Sequence, residues 1–195
     1  MNRKVEINRK TSETDIKLSL ELDGSGSFSG KSGIGFFDHM LQLFSRHALF
    51  DLELETSGDL EVDGHHTLED IGIVLGQALK KALGDKKSIN RYGSFLLPMD
   101  EALVMVALDF SGRPLLDFQM EIPSTKIGEL ESELVEEFLR SLVNQAGLTL
   151  HIRQLAGKNA HHLVEALFKG LGRALREAVS LDPRENGIPS SKGSL

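Results

Sequence analysis

His65-His66-Thr67-Leu68-Glu69-Asp70 opens one apolar-striped segment of the chain, and His161-His162-Leu163-Val164-Glu165-Ala166 opens another. The two stretches are related by a constant shift of 96 residues, which extends well beyond them. Leu52 falls on Leu148, Leu54 on Leu150, Gly76 on Gly172, Ala78 on Ala174 and Leu79 on Leu175, with no gap across the block. Matches at Leu, Ala and Gly carry little information alone. A repeated His-His-x-x-Glu at the same place in two strand–loop–helix blocks carries much more, because the whole chain has only seven His. The chain therefore reads as two duplicated halves of α+β class, residues 1–93 and 94–195. Each is expected to be a small mixed or antiparallel sheet packed on helices.

Periodicity fills in the elements around the repeat. Val5 and Ile7, then Ile16, Leu18, Leu20 and Leu22, recur every second residue and predict two strands around the polar run 9–15. Asp23-Gly24-Ser25-Gly26 predicts a turn, and the Gly24/Gly26/Gly30 cluster reads as a loop without a phosphate role, since no helix pattern opens behind it. Phe37, Met40, Leu41 and Phe44 predict a helix over 36–49, and a strand follows over 50–55. Ile71, Val74, Leu75, Ala78 and Leu79 stripe a helix that Gly84 stops. The second half gives strands over 102–110, 115–122 and 148–152, and helices over 131–143 and from Lys158 to about Val179. The tail beyond Asp182 reads as irregular. The alternating runs at 16–22, 50–55 and 102–110 argue against a ferritin-like bundle, which also uses Glu-x-x-His helices but needs four long ones.

Composition narrows the chemistry. The 195 residues carry 22 Lys plus Arg against 29 Asp plus Glu, a formal charge of −7, which disfavours a nucleic-acid partner. There is no Cys, so disulfides, thiolate chemistry, iron–sulfur clusters and Cys-type zinc sites are excluded. No stretch approaches the ~18 apolar residues of a membrane span, and the charged start Met1-Asn2-Arg3-Lys4 has no apolar run behind it. A cytoplasmic protein with no membrane partner is the expectation. Any metal chemistry must use His, Asp and Glu.

The repeated motif suits such chemistry. A helix advances ~100° per residue, so relative to His65 the side chain of His66 lies at ~100° and Glu69 near 40°. All three point into one sector. Adjacent imidazoles on a helix diverge too far to share one ion easily, but they can serve two ions with the carboxylate between them. Two copies supply four His and two Glu, and His39 and His151 could complete three His and one Glu for each of two metals. Such a site binds divalent cations and leaves coordination positions open. Imidazole and carboxylate together admit Zn, Fe, Ni, Cu or Mn, with Zn or Mn favoured by ligand type. His47, at a helix end beside Arg46, reads by position alone as a cap for carbonyl groups.

At these residues the chain resembles the imidazoleglycerol-phosphate dehydratase family of histidine biosynthesis. The resemblance covers essentially the whole sequence. It rests on Arg9-Lys10-Thr11-x-Glu13-Thr14, Gly35-x-x-Asp38-His39-Met40-Leu41 and His65-His66-Thr67-x-Glu69-Asp70. It continues through Asp109-x-Ser111-Gly112-Arg113-Pro114, Leu150-His151-x-Arg153, Asn159-x-His161-His162-x-x-Glu165-Ala166 and Pro189-Ser190-Ser191-Lys192-Gly193. Gly64, Gly35 and Ser191 depart from the acidic residue, proline and threonine usual at those places.

The resemblance implies a fold like the second domain of a small-subunit ribosomal protein. It also implies a two-manganese enzyme that dehydrates imidazole-glycerol phosphate to imidazole-acetol phosphate. Two Mn2+ per active site would hold the ring as imidazolate, so that it expels the adjacent hydroxyl through a diazafulvene-like intermediate. The metal ligands carried over are His39, His65, His66, Glu69, His151, His161, His162 and Glu165. Glu13 is the implied base for the carbon proton, with Glu165 also at the catalytic centre, and His47 is a candidate proton donor to the leaving hydroxyl. Arg91, Arg113, Ser190, Ser191 and Lys192 match the family's phosphate contacts. The implied assembly is a homo-oligomer of twenty-four subunits built from trimers, with metal sites at subunit contacts.

Overall fold

The computed structural model describes residues 3–195. Its first four strands are β1 (Lys4–Lys10), β2 (Thr14–Glu21), β3 (Phe28–Gly30) and β4 (Asp51–Gly58), with helix α1 (Gly35–Ala48) between β3 and β4. Helix α2 (His65–Leu83) follows. These strands form a sheet of order β1-β2-β4-β3, antiparallel except for the parallel β3–β4 pair. The same plan then recurs with β5 (Tyr92–Met99), β6 (Ala102–Asp109), β7 (Leu115–Gln119) and β10 (Thr149–Ala156). That sheet has order β5-β6-β10-β7, again antiparallel except for β7–β10. Helices α3 (Leu134–Ala146) and α4 (Ala160–Val179) stand where α1 and α2 stood. The added feature is a short hairpin, β8 (Lys126–Ile127) with β9 (Leu130–Glu131), ahead of α3.

Each sheet buries one face. Ile16, Leu18 and Leu20 of β2 and Val104 and Val106 of β6 are fully buried, as strict alternation requires. Helix α2 packs on β1 and β2, and α4 on β5 and β6. Across the middle, α2 meets α3 and α1 meets α4, so one continuous core joins both repeats. The repeated glycines explain how closely these helices approach. A Cβ at Gly76 would stand 2.5 Å from the Leu142 carbonyl oxygen, and one at Gly172 would stand 2.7 Å from that of Phe44. Gly76→Ala and Gly172→Ala are therefore expected to lower stability by about 1–3 kcal/mol, despite alanine's better helix propensity. Urea midpoints check this; an unchanged or raised midpoint would contradict it.

Several elements differ from the sequence reading. Strand β5 went unread because Gly93 and Pro98 break its pattern, and β3 lay hidden in the glycine-rich loop. Helix α3 starts at Leu134 rather than near 131, because β9 takes Leu130–Glu131.

The Gly24–Ser27 loop has its backbone donors occupied. Ser25, Gly26 and Ser27 donate their N–H groups to Asp51 Oδ1 at 2.9, 3.0 and 2.9 Å. The Ser27 and Ser25 contacts pull the Asp51 carboxyl from 3.8 to about 2. Because its folded pKa is depressed, its stabilisation is complete above pH ~4 and is lost as pH falls toward 2. Asp51→Ala should cost about 1–2 kcal/mol at neutral pH and little at pH 2, measured by denaturant melts. An equal cost at both pH values would contradict this.

Candidate metal centre

The repeated His pairs sit on the first turns of α2 and α4. In α4 the fold places them by a cap: Asn159 Oδ1 accepts the backbone N–H groups of His161 and His162 at 2.9 and 3.2 Å. In α2 the His65 N–H donates to Asp63 Oδ1 at 2.7 Å. The N-terminus of α1 lies between the two: Ile34 approaches Gly64, and the Phe36 ring sits edge-on to His161 at 4.9 Å.

His39, carried by α1, is thereby brought to α4. One ligand atom each from His39, His161 and Glu165 lies within 4.8 Å of the others, the one such trio among the described residues. Glu165 Oε2 stands 3.0 Å from His161 Nε2 and 4.0 Å from His39 Nε2. The carboxylate is only 8% exposed, and its other oxygen accepts from the Lys169 ammonium. Burial pulls the Glu165 pKa upward, but Lys169 and His161 outweigh it and hold the group below its ordinary value. An ion with ~2.1 Å bonds sets neighbouring ligand atoms ~3–4 Å apart, so two imidazoles and a carboxylate with one free oxygen fit a divalent cation.

The other motif residues do not join this trio. His65 Nε2 lies 4.0 Å from Glu69 Oε2 at the α2 turn, with His66 beside it. His151 is on β10, aligned with Ala107 and Asp117 on the face of the second sheet away from the helices. The sheet thus stands between His151 and the trio. Three further imidazole contacts were not foreseen. His66 Nδ1 meets Asp59 Oδ2 at 2.9 Å, His151 Nδ1 meets Asp117 Oδ2 at 3.2 Å, and His162 Nδ1 meets Glu101 Oε2 at 2.7 Å. The Asp59 hydrogen bond raises the His66 pKa, and the Glu101 bond raises that of His162 while drawing Glu101 to about 2.

Glu13 lies in the β1–β2 turn, in a small cleft of about 100 Å3 shared with Arg9, His66, Glu69, Asp70 and Ile73. Asp70 clamps that turn onto α2: Arg9 donates to Oδ1 at 2.9 Å and Thr14 donates to Oδ2 at 2.5 Å. His47 sits elsewhere, two turns along α1 from His39 and against Gly172 of α4. Burial, Lys169, Arg173 and Arg46 hold its pKa low.

A family model for imidazoleglycerol-phosphate dehydratase matches residues 32–175. The chain belongs to that family. Its relatives include the imidazoleglycerol-phosphate dehydratase of Moorella thermoacetica, 68% identical over the full length of both chains. That of Acetivibrio thermocellus is 59% identical, also over both full lengths. The crystal structure of the Staphylococcus aureus dehydratase superposes with a TM-score of 0.84 at 41% identity, covering 92% of this chain and 99% of that one. The Pyrococcus furiosus structure gives 0.84 at 38%, covering 97% and 100%. The chain is thus a dehydratase, an enzyme of the hydro-lyase class.

In this dehydratase Arg91, Arg113, Ser190, Ser191 and Lys192 lie before β5, in the turn after β6 and in the tail. Arg91 donates to both Asp109 oxygens, at 2.7 and 3.1 Å, and to the Pro189 carbonyl at 2.9 Å. It thereby ties the tail to the start of β5. Arg113 lies in the Ser111–Pro114 turn, and its guanidinium donates to the Ser111 carbonyl at 3.3 Å. The backbone of Leu195 comes against Gly112 in the same turn. Within the tail, Lys192 donates its N–H to Ser190 Oγ at 3.2 Å, with Ser191 between them. Lys169, four residues after Glu165 on one helix, was legible as an i,i+4 partner. Asp59, Glu101 and Asp117 had no local signal.

Proposed function

We propose that the chain dehydrates imidazole-glycerol phosphate to imidazole-acetol phosphate in histidine biosynthesis, with two Mn2+ ions per active site. The observation that carries the reading is the trio of His39, His161 and Glu165, built by two helices at one copy of the duplicated motif. The other motif copy offers His65, His66 and Glu69 as the matching set, and His151 and His162 add one imidazole each. When bound, such ions act as Lewis acids that stabilise negative charge on a coordinated azole ring.

The protein's own groups supply the rest. Arg91, Arg113 and Lys192, with Ser190 and Ser191, offer cationic and hydroxyl donors for a phosphate. Arg91 keeps N–H groups beyond those given to Asp109 and Pro189. Glu13, at the mouth of the cleft beside His66 and Glu69, takes the carbon proton. His47 is the candidate proton donor to the departing hydroxyl, although burial and its cationic neighbours lower its pKa and so favour the neutral ring.

The ligands of one chain point to different places, so a second copy completes each centre. A homo-oligomer of twenty-four chains built from trimers suits this arrangement. Exposed apolar side chains at Val62, Leu96, Leu115 and Leu155 support burial against other copies. Within this reading the enzyme works in the cytoplasm, on a small phosphate substrate, without nucleic-acid or membrane partners. The test is turnover of imidazole-glycerol phosphate by metal-stripped and manganese-reloaded protein. Dehydration only after reloading is expected, and hydrolysis without dehydration would overturn the proposal. Chelation should also shrink the particle in size-exclusion chromatography; an unchanged particle free of metal would contradict the shared centre.

A further inference from the structure

The contacts of the six motif histidines fall into two sets. His39, His65 and His161 face the motif glutamates through Nε2: His161 and His39 face Glu165 at 3.0 and 4.0 Å, and His65 faces Glu69 at 4.0 Å. His66, His151 and His162 meet carboxylates outside the repeated motif through Nδ1, and His162 also has Asp100 Oδ2 at 3.6 Å from its Nε2. Asp59 comes from the loop after β4, Glu101 from the β5–β6 turn and Asp117 from β7. Glu101 directly precedes β6 as Glu13 directly precedes β2, and each lies near the second His of its motif. Three carboxylates from different elements thus make the same contact on one ring atom.

A carboxylate on Nδ1 accepts that nitrogen's proton, fixes the ring as the Nδ1–H tautomer and leaves a lone pair on Nε2. In the first set, Nε2 is the atom beside the ligating carboxylate. All six rings therefore present the same atom.

We propose that Asp59, Glu101 and Asp117 are positioning residues that hold His66, His162 and His151 as Nε2 donors to the metal centres. The inference rests on the metal-centre reading given under Proposed function. Two of the three carboxylates are themselves anchored. Glu101 accepts the Asn159 N–H at 2.9 Å, and Asp117 accepts from Arg153 at 2.5 Å. Outer partners of this kind change metal affinity by about 10–100-fold when removed.

The experiment uses the full-length assembly, stripped of metal and titrated with Mn2+ in a calorimeter. Glu101→Ala is expected to weaken binding about 10–100-fold. Glu101→Gln keeps one acceptor oxygen for the Nδ1 proton and loses the oxygen that takes the Asn159 N–H, so it should retain clearly more affinity than Glu101→Ala. Asp117→Ala against Asp117→Asn repeats the comparison at a site remote from the α4 cap. Nitrogen-15 shifts of the metal-free assembly provide a readout that a merely structural role would not move. His162 should show protonated Nδ1 in wild type and mixed tautomers in Glu101→Ala. Affinity within twofold of wild type in both alanine variants, or a protonated Nε2 in wild type, would overturn the inference. Absence of Mn2+ binding by wild type would instead overturn the reading beneath it.

Discussion

Glu165→Gln is expected to lower kcat/KM for dehydration by about three orders of magnitude or more. The substitution keeps the shape of the side chain and removes its charge. Two imidazoles then face a neutral amide, and the Lys169 ammonium stays in the trio without its counter-charge. A cation entering there loses an anionic ligand and gains a like charge. Losing one preorganised electrostatic partner costs ~10²–10³ in rate, and loss of the ion costs more. Stability should fall by no more than about 3 kcal/mol, because glutamine still accepts from Lys169 where a truncated side chain would not. Steady-state kinetics and manganese content measured on one preparation check both parts. Full activity with normal metal content would contradict the role of the trio.

Glu13→Gln should lower kcat by about 10²–10⁴ while leaving KM and metal content near wild type. That range is what a single general base contributes. The structure gives a reason to expect the split. Glu13 shares its cleft with His66 and Glu69, but the turn that carries it is held by Arg9 and Thr14 on Asp70, not by Glu13 itself. Its removal therefore leaves the ligands in place. A loss of manganese in Glu13→Gln would make it a ligand, and unchanged turnover would move the base elsewhere.

The fold was legible where burial imposes a period. Ile16, Leu18 and Leu20 alternate because one face of β2 is covered, and Leu163, Val164 and Leu167 stripe α4 because it lies under a sheet. Strand β5 was not legible, since its placement depends on pairing with β6 rather than on its own composition. The duplication was visible in the sequence; the close helix crossings that make Gly76 and Gly172 necessary were not, because a glycine's neighbours across a crossing leave no local trace.

The site divides in the same way. His161 and Glu165 are one helical turn apart, and spacing alone puts them together. His39 reaches them only because α1 packs on α4, which no periodicity announces. His151 went the other way. The sequence reading has it and His39 complete the two metal sets, and the strand turns it to the face of the sheet away from the trio. Within the proposed function, that placement calls for a second copy of the chain at each centre.

The central claim is that the duplicated motif builds two manganese sites. Anomalous scattering at the manganese edge, from crystals of the reloaded assembly, tests it most directly. The account predicts two peaks per chain, one bounded by His39, His161 and Glu165 and the other by His65 and Glu69, each completed by imidazoles of a neighbouring copy. A map with no peak at either motif, or with one ion served wholly by a single chain, would contradict it.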